Sequence, residues 1–217
     1  MWIIFDAADT LLKPNPSVAN VYARIAQDHG VSADPAEIKQ RFGPAIRKHF
    51  AEEVSNEELD RQRWQQLVFD ILQTDNTKLF DELWNHFAEP SSWEVYDDVE
   101  PTWTRLFERG FQIAIASNFD ARLLKIVEAK TSLSRASHIF ISSQLGFRKP
   151  SPKFYMAIEQ QLNCSKNQLV MVGDSEAADF QGAQSAGWKA WHLVRDEPNA
   201  APPKISSLLE LATLLAK

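Results

Sequence analysis

Cysteine is almost absent from the chain of 217 residues, which contains Cys164 alone. A single cysteine cannot form an internal disulfide, and this usage is typical of proteins from a reducing compartment. A thiol nucleophile requires a histidine or basic neighbour with a role, and we interpret Cys164 as an inert residue instead. The cysteine content therefore predicts neither a disulfide scaffold nor thiol chemistry.

Long apolar runs are also missing. The first apolar run is interrupted by Asp6 and has no basic region before it, so we do not expect a secretory signal peptide. No later run approaches the roughly 20 apolar residues that a membrane span needs. We therefore expect a soluble, cytoplasmic protein without a membrane partner.

Positive charge is in the minority, with 23 Lys and Arg residues against 29 Asp and Glu residues and a net charge of −6. Nucleic-acid-binding proteins usually display a basic stripe, and the chain has no cluster of Lys and Arg interleaved with aromatic residues. The 5 histidines show no ligand spacing, such as two on one helical turn. The sequence predicts no nucleic-acid partner and no histidine-bound metal, and it does not identify a protein partner.

The second half of the chain alternates short apolar runs with helical patterns. The predicted strands cover residues 111–116, 138–142, 169–172 and 189–194, and residues 2–5 add one more. The predicted helices between them cover residues 121–130, 152–162 and 177–186. Residues 196–204, rich in Pro and Ala, predict a loop before a C-terminal helix. This alternation predicts a doubly wound, Rossmann-like α/β fold with a parallel sheet covered on both faces.

Residues from about 14 to 95 show helical patterns and no strand signal. The first helix has Val18, Tyr22 and Ile25 at helical spacing and ends near Gly30. Two further apolar stripes follow, one of Trp64, Leu67, Val68, Ile71 and Leu72 and one of Leu79, Phe80, Leu83, Trp84 and Phe87. We interpret these stripes as a helical core rather than a cofactor site. The sequence thus predicts an all-helical domain, residues 14–95, inserted into an α/β domain of residues 1–13 and 96–217.

Polar residues follow four of the predicted strands. These residues are Asp6, the pair Ser117-Asn118, Lys149, and the pair Asp174 and Asp179. In a doubly wound sheet, the loops after the strands converge on one crevice. A carboxylate can attack phosphorus, and Mg²⁺ held by carboxylates removes the repulsion between the two anions. A lysine and a serine hydroxyl can hold the remaining phosphoryl oxygens, so the pattern indicates phosphoryl transfer.

These residues together resemble the haloacid dehalogenase-like hydrolase superfamily, over essentially the whole chain. The family's motifs are similar to Asp6-Ala7-Ala8-Asp9-Thr10, to Ser117-Asn118, to Lys149, and to Gly173-Asp174 through Asp179. The helical insert resembles the family's cap domain. Residues 117–123 and 146–150 look most like the rhythmically-expressed-gene-2-like branch.

The resemblance implies a nucleophile at Asp6 and a small phosphorylated metabolite as the substrate. It implies a Mg²⁺ site made by the Asp6 carboxylate, the Ala8 backbone carbonyl and the Asp174 carboxylate, with Asp179 orienting this site either through a bridging water or through the ligands. It also implies that Ser117, Asn118 and Lys149 bind the phosphate.

One residue departs from the family pattern, because Ala8 stands where the family has a second aspartate. That aspartate protonates the leaving oxygen and activates water, general acid–base catalysis typically worth ~10²–10⁴-fold in rate. Asp9 stands one residue later, where a glycine is usual. The chain is therefore expected to be a weak or selective Mg²⁺-dependent phosphatase.

Two other interpretations stay open. The first is an impaired phosphate- and Mg²⁺-binding protein that serves as an interaction protein. The second is another reaction of the superfamily, either dehalogenation or hydrolysis of a phosphonate C–P bond. A dehalogenase needs no metal and does not keep the acidic motif, whereas a phosphonate hydrolase has an alanine at the position of Ala8 but requires an imine-forming cap lysine. The positional candidates for that lysine are Lys39, Lys48 and Lys78.

Overall fold

A parallel six-stranded sheet forms the centre of the computed structural model, which describes residues 1–198 and 200–215. The strands of the protein are β1 (Trp2–Phe5), β2 (Leu12–Pro14), β3 (Trp93–Val95), β4 (Gln112–Ser117), β5 (His138–Ile141), β6 (Leu169–Gly173), β7 (Lys189–Leu193) and β8 (Lys204–Ile205). The central sheet has the order β5-β4-β1-β6-β7-β8, and each neighbouring pair is parallel. The predicted doubly wound α/β architecture is therefore confirmed.

Strand β1 shows why this sheet needs helices on both of its faces. Successive side chains of a strand point to opposite faces. Ile3 and Phe5 join one apolar cluster and Ile4 joins another, and all three side chains are fully buried. A strand that is apolar on both faces is stable only in a sheet covered from both sides.

Within the described residues, four α-helices precede β3 and six follow it. They are α1 (Val18–Asp28), α2 (Pro35–His49), α3 (Glu57–Leu72), α4 (Thr77–His86), α5 (Val99–Glu108), α6 (Arg122–Glu128), α7 (Ser142–Leu145), α8 (Pro152–Leu162), α9 (Gly182–Ala186) and α10 (Leu208–Leu214). The side chains of Ser17, Asp34, Asn56 and Asn76 accept backbone hydrogen bonds at the starts of α1 to α4. These caps satisfy N–H groups that have no partner inside a helix. Helices α1 to α4 enclose an apolar core of their own.

The expectation that residues 14–95 contain no strand is wrong. Strands β2 and β3 pair antiparallel, with Leu12 opposite Val95 and Pro14 opposite Trp93. Runs of three residues are too short to show a strand period, and a proline fits only an edge strand. This pair of strands lies where the chain leaves the six-stranded sheet after β1 and where it returns before β4. The division into a core (1–13 and 96–217) and a cap (14–95) stays a prediction.

Two further segments differ in detail from the prediction. The helix expected at 177–186 begins as a π-helix, Glu176–Gln181, and continues as α9. The loop expected at 196–204 ends in the edge strand β8, which the sequence did not predict. Residue 199 of that loop and residues 216–217 lie outside the described residues. None of the helices within 1–198 and 200–215 has the length and apolarity needed to cross a membrane.

Candidate active site

Lys149 joins two acidic side chains at the carboxyl edge of the sheet. Its Nζ donates hydrogen bonds to Asp6 Oδ1 at 2.6 Å, to Asp179 Oδ1 at 2.5 Å and to the Ala116 carbonyl at 2.9 Å. Asp6 directly follows β1, Ala116 lies in β4, and Asp179 lies in the π-helix after β6. Residues from three separate segments thus meet around one buried ammonium group.

A third carboxylate, that of Asp174, lies beside this pair. Carboxylate oxygens of Asp6, Asp174 and Asp179 all lie within 4.8 Å of one another. With one lysine ammonium among them, ionisation of all three would leave two negative charges uncompensated. The group is therefore a candidate site for a divalent cation, and its hard oxygen donors are those that Mg²⁺ prefers.

The pKa values of this cluster reflect its burial and its excess of negative charge. Burial, together with the neighbouring carboxylate of Asp6, raises the pKa of Asp174 to about 7. Burial also raises the pKa of Asp179 to about 6, although Lys149 acts in the opposite direction. Burial alone would lower the pKa of Lys149, but the carboxylates of Asp179 and Asp6 raise it above its ordinary value, so Lys149 stays charged.

Thr10 and Gly173 fix the acidic loop after β6. Thr10 Oγ1 donates to Asp174 Oδ1 at 3.1 Å and accepts from the Asp174 backbone N–H at 3.0 Å. A Cβ atom on Gly173 would overlap the carboxyl group of Asp179, so a side chain at this position is excluded while Asp179 stays in place. The backbone N–H of Ser175 donates to Asp179 Oδ2 at 3.0 Å, which fixes that carboxylate from the other side.

Ser117 and Asn118 both line the crevice but have different surroundings. The Asn118 amide holds the Lys149 backbone, since its Nδ2 donates to the Lys149 carbonyl at 2.9 Å and its Oδ1 accepts from the Lys149 N–H at 2.7 Å. Its side chain therefore positions the lysine loop. Ser117 is the last residue of β4 and is almost completely buried, at 3% exposure.

Ala8 and Asp9 form the turn after Asp6, and both line the same crevice. Asp9 has a left-handed backbone with φ of 59°, a conformation that favours glycine. Its burial and the nearby Asp6 charge raise the pKa of the Asp9 carboxyl, while Arg195 acts to lower it. Ala8 offers no side-chain donor, so the turn lacks a proton donor at the position where the family has one.

The crevice opens into a cavity of about 360 Å³ between the sheet edge and helices α1 to α4. The predicted apolar stripes are not only helical core, because part of each stripe lines this cavity. The aromatic side chains that α2 to α4 and their ends contribute are Phe42, Phe50, Trp64, Phe80, Trp84 and Phe87. Among the described residues Lys149 is the one lysine on its walls, so Lys39, Lys48 and Lys78 are not there.

Several residues for which the sequence predicts no role lie in or next to the site. Arg122 and Arg148 line the cavity, and Thr10 holds Asp174. Thr10 could have been found from its place in the first motif, directly after Asp9. Arg148 precedes the predicted Lys149, but nothing in the sequence distinguishes it from a solvated loop charge.

A doubly wound sheet with carboxylates and a lysine clustered at its carboxyl edge is the arrangement that the resemblance to the haloacid dehalogenase-like hydrolases led us to expect. The sequence matches the haloacid dehalogenase-like hydrolase family over residues 1–187. The chain belongs to this family.

Relatives and solved structures agree with this assignment over nearly the whole chain. The chain is 28% identical to haloacid dehalogenase-like hydrolase domain-containing protein 3 of Mus musculus, over 90% of this chain and 82% of the relative. It is 25% identical to pyrimidine 5'-nucleotidase PynA of Streptococcus pneumoniae, over 93% of this chain and 88% of that protein. The structure of the HAD-hydrolase YfnB from Bacillus subtilis, solved with magnesium bound, shares the fold, with a TM-score of 0.81, 20% identity and coverage of 100% of this chain and 98% of that chain.

Proposed function

We propose that the protein is a Mg²⁺-dependent phosphatase that acts on a small phosphorylated metabolite through an aspartyl-phosphate on Asp6. The observation that carries this proposal is the excess charge around Lys149. Its ammonium contacts Asp6 and Asp179, with Asp174 within 4.8 Å, so three carboxylates share one cation. A cleft in which full ionisation of three carboxylates would leave two negative charges uncompensated suits a divalent cation and, with it, an incoming anion.

The residues present fit Mg²⁺ well. The Asp6 and Asp174 carboxylates and the Ala8 backbone carbonyl would hold it, with Asp179 and Lys149 fixing the carboxylates from behind. Bound there, Mg²⁺ would neutralise the repulsion between the Asp6 carboxylate and the phosphoryl group of the substrate. The relationship to PynA, a nucleotidase, is consistent with phosphate ester hydrolysis in this part of the family.

The protein's own groups then have distinct roles. The Asp6 carboxylate attacks phosphorus and the bond to the leaving oxygen breaks, after which water hydrolyses the acyl phosphate. Lys149 orients the Asp6 carboxylate through its hydrogen bond, and it supplies positive charge beside the phosphoryl oxygens. The Ser117 hydroxyl and Asn118 would complete the phosphate site, a role supported by their position on the wall of the crevice. Ala8 provides no proton to the leaving oxygen, so the reaction is slow for poor leaving groups.

The test is Mg²⁺-dependent hydrolysis of acetyl phosphate by the wild type, Asp6→Asn and Ala8→Asp. We expect wild-type turnover that Asp6→Asn abolishes. Ala8→Asp is expected to accelerate hydrolysis of an alkyl phosphate such as glycerol phosphate by up to ~10²–10⁴-fold, the usual contribution of the missing group. Activity confined to Ala8→Asp would favour a binding protein over an enzyme. No activity in any of the three folded, Mg²⁺-binding proteins would contradict the phosphatase assignment.

A further inference from the structure

The cavity beside the catalytic residues has an unusually aromatic wall for a site that binds a phosphorylated metabolite. Trp64 packs against Phe50 and Phe42 with ring centroids at 5.0 and 6.4 Å, and Trp84 packs against Phe80 at 5.8 Å. Four of these five side chains are only partly buried although they belong to the cap's apolar core region, and all five line the cavity. Apolar area that faces a cavity favours an apolar occupant. The walls therefore fit a planar ring better than a hydroxylated chain.

Arg148 adds a positive charge to this wall, and few groups of the protein contact that charge. Its guanidinium lies over the Phe50 ring at 4.4 Å, and its side chain is 11% exposed. Within residues 1–198 and 200–215, no group accepts a hydrogen bond from that side chain, and its Nη1 is buried without a partner. The nearest carboxylate, Asp60, lies 3.9 Å away and already accepts from Arg63 and Ser55.

Arg122, which also lines the cavity, provides the contrast. Both Nε and Nη2 of Arg122 donate to the Asp120 carboxylate at 2.7 Å, while its guanidinium stacks on Trp84 at 3.5 Å. Arg122 is thus held by short hydrogen bonds to a carboxylate, whereas Arg148, within the described residues, has the 3.9 Å ion pair with Asp60 and no side-chain hydrogen bond. A guanidinium beside aromatic rings attracts an electron-rich or anionic ring.

The missing proton donor at Ala8 restricts the leaving group independently of the cavity. An aromatic hydroxyl has a pKa of about 10, as in tyrosine, far below the ~15.7 of water, which is close to that of an alkyl alcohol. A phenolate leaves with its electron pair and takes a proton from solvent afterwards, so it needs no acid from the enzyme. The absence of a proton donor at Ala8 and the aromatic walls of the cavity therefore favour the same class of substrate, a phosphate ester of an aromatic hydroxyl.

We propose that the substrate is the phosphate monoester of an aromatic hydroxyl, whose ring lies between Trp64 and Trp84 with the Arg148 guanidinium beside it. This assignment rests on the proposed phosphatase function. Asp6 forms the new O–P bond, the P–O bond to the ring oxygen breaks, and the phenolate departs. Water then releases inorganic phosphate and regenerates the Asp6 carboxylate.

Binding can be tested without turnover by titrating the Mg²⁺-loaded protein with benzylphosphonate and methylphosphonate in a calorimeter. We expect the aromatic phosphonate to bind about tenfold tighter or more, because burial of its ring adds apolar contact. Trp64→Ala should abolish this ratio, Trp64→Phe should retain most of it, and Arg148→Met should reduce it. Trp191→Phe, a partly buried tryptophan that does not line the cavity, is the matched control. Equal affinities for the two phosphonates, or a ratio unchanged in Trp64→Ala, would overturn the inference.

Kinetics separates this inference from the function on which it rests. We expect kcat/KM for 2-naphthyl phosphate to exceed that for glycerol phosphate and uridine 5'-monophosphate by at least about 100-fold. If the protein hydrolyses acetyl phosphate but does not prefer the naphthyl ester, the proposed phosphatase function is retained. The assignment of an aromatic substrate is then contradicted. A preference for the uridine nucleotide, which has a ring but an alkyl leaving group, would also overturn it. No turnover of any phosphate would refute the phosphatase and the substrate assignment with it.

Discussion

Thr10 and Asp174 hydrogen-bond each other twice across the carboxyl edge of the sheet, although 164 residues separate them in sequence. The Thr10 hydroxyl donates to the Asp174 carboxylate and accepts from the Asp174 backbone N–H. One hydroxyl therefore fixes both the backbone and the side chain of a proposed metal ligand. Groups that orient a ligand in this way commonly affect metal affinity by 10–100-fold.

Thr10→Val should consequently weaken Mg²⁺ binding by about tenfold or more. Valine keeps the shape of threonine but neither donates nor accepts, so Asp174 loses its orientation and its backbone N–H loses a partner. Mg²⁺ titration by calorimetry measures the effect, and Thr10→Ser, which keeps the hydroxyl, should bind Mg²⁺ within about threefold of the wild type. Unchanged affinity in Thr10→Val would show that the Thr10 hydroxyl does not orient Asp174 for the metal.

Lys149→Met should destabilise the metal-free protein by about 3–5 kcal/mol, the usual cost of removing one partner of a buried ion pair. The side chain of Lys149 is 2% exposed, so its removal leaves the Asp6 and Asp179 carboxylates facing each other without a cation. Urea unfolding in the presence of a chelator gives the free energy of unfolding.

Lys153→Met is the matched control for this experiment. Lys153 pairs with Glu53 at 3.0 Å at the surface, where both side chains are about half exposed. Exposed pairs contribute at most about 1 kcal/mol, so this variant should stay near the wild type. An equal loss of unfolding free energy in the two variants would mean that the buried Lys149 ion pairs stabilise the protein no more than a surface ion pair does.

Gly173→Ala should destabilise the protein by about 1–3 kcal/mol and weaken Mg²⁺ binding, as expected when an atom is forced into a packed site. The added Cβ would overlap the Asp179 carboxyl group, which must then move away from Lys149. Thermal unfolding with and without Mg²⁺ measures both effects.

The control for the glycine is Gly43→Ala, in the interior of α2. A Cβ at that position meets only Arg47 Nη1, at 3.5 Å, which is ordinary contact. Alanine is favoured over glycine in a helix by about 0.5–1 kcal/mol, so this variant should be stabilised. If Gly173→Ala is as stable as the wild type, the loop that carries Asp179 can rearrange around the added Cβ with little loss of stability.

Most of the sheet could be predicted because its strands are apolar on both faces and are punctuated by helical patterns. The same logic places Asp6, Lys149, Asp174 and Asp179 together, since parallel strands end at a common edge. Strands β2, β3 and β8 could not be predicted, because two or three residues show no period. The role of Thr10 depends on a contact over 164 residues, which no local pattern contains.

The cavity could not be predicted for a different reason. Periodicity in α3 and α4 identifies which residues are apolar, but not which part of the apolar stripe meets another helix and which part faces the sheet edge. Leu67 therefore packs in the helical core, whereas Trp64, one turn earlier on the same helix, lines the cavity. Arg148 is buried by Phe50 from a different segment, and its burial is likewise invisible in the sequence.

Asp98 provides a last prediction, on the pH dependence of stability. Its carboxylate accepts two hydrogen bonds from Arg195, at 2.9 and 3.1 Å, and one each from Ser207 Oγ and the Leu208 N–H, both at 2.9 Å. Burial of Asp98 acts to raise its pKa, but these hydrogen bonds outweigh burial and hold the pKa below its ordinary value. The carboxylate thereby links the start of α5 to the start of α10.

The sign of the pH effect follows from this lowered pKa. The folded protein binds the Asp98 proton less readily than the unfolded chain does. Asp98 therefore contributes stability above the unfolded pKa of about 3.9, and this stability is lost as pH falls through the folded pKa.

Asp98→Asn should lower the free energy of unfolding by about 2–3 kcal/mol at pH 7, the scale of a charged hydrogen-bond cluster. The difference from the wild type should shrink steadily below about pH 4. Urea unfolding across this pH range measures it, with the exposed neighbour Asp97→Asn as the control expected to stay within about 0.5 kcal/mol. A cost for Asp98→Asn that is equally large at pH 7 and at pH 3 would mean that packing or the lost acceptor, and not the charge, sets the contribution of Asp98.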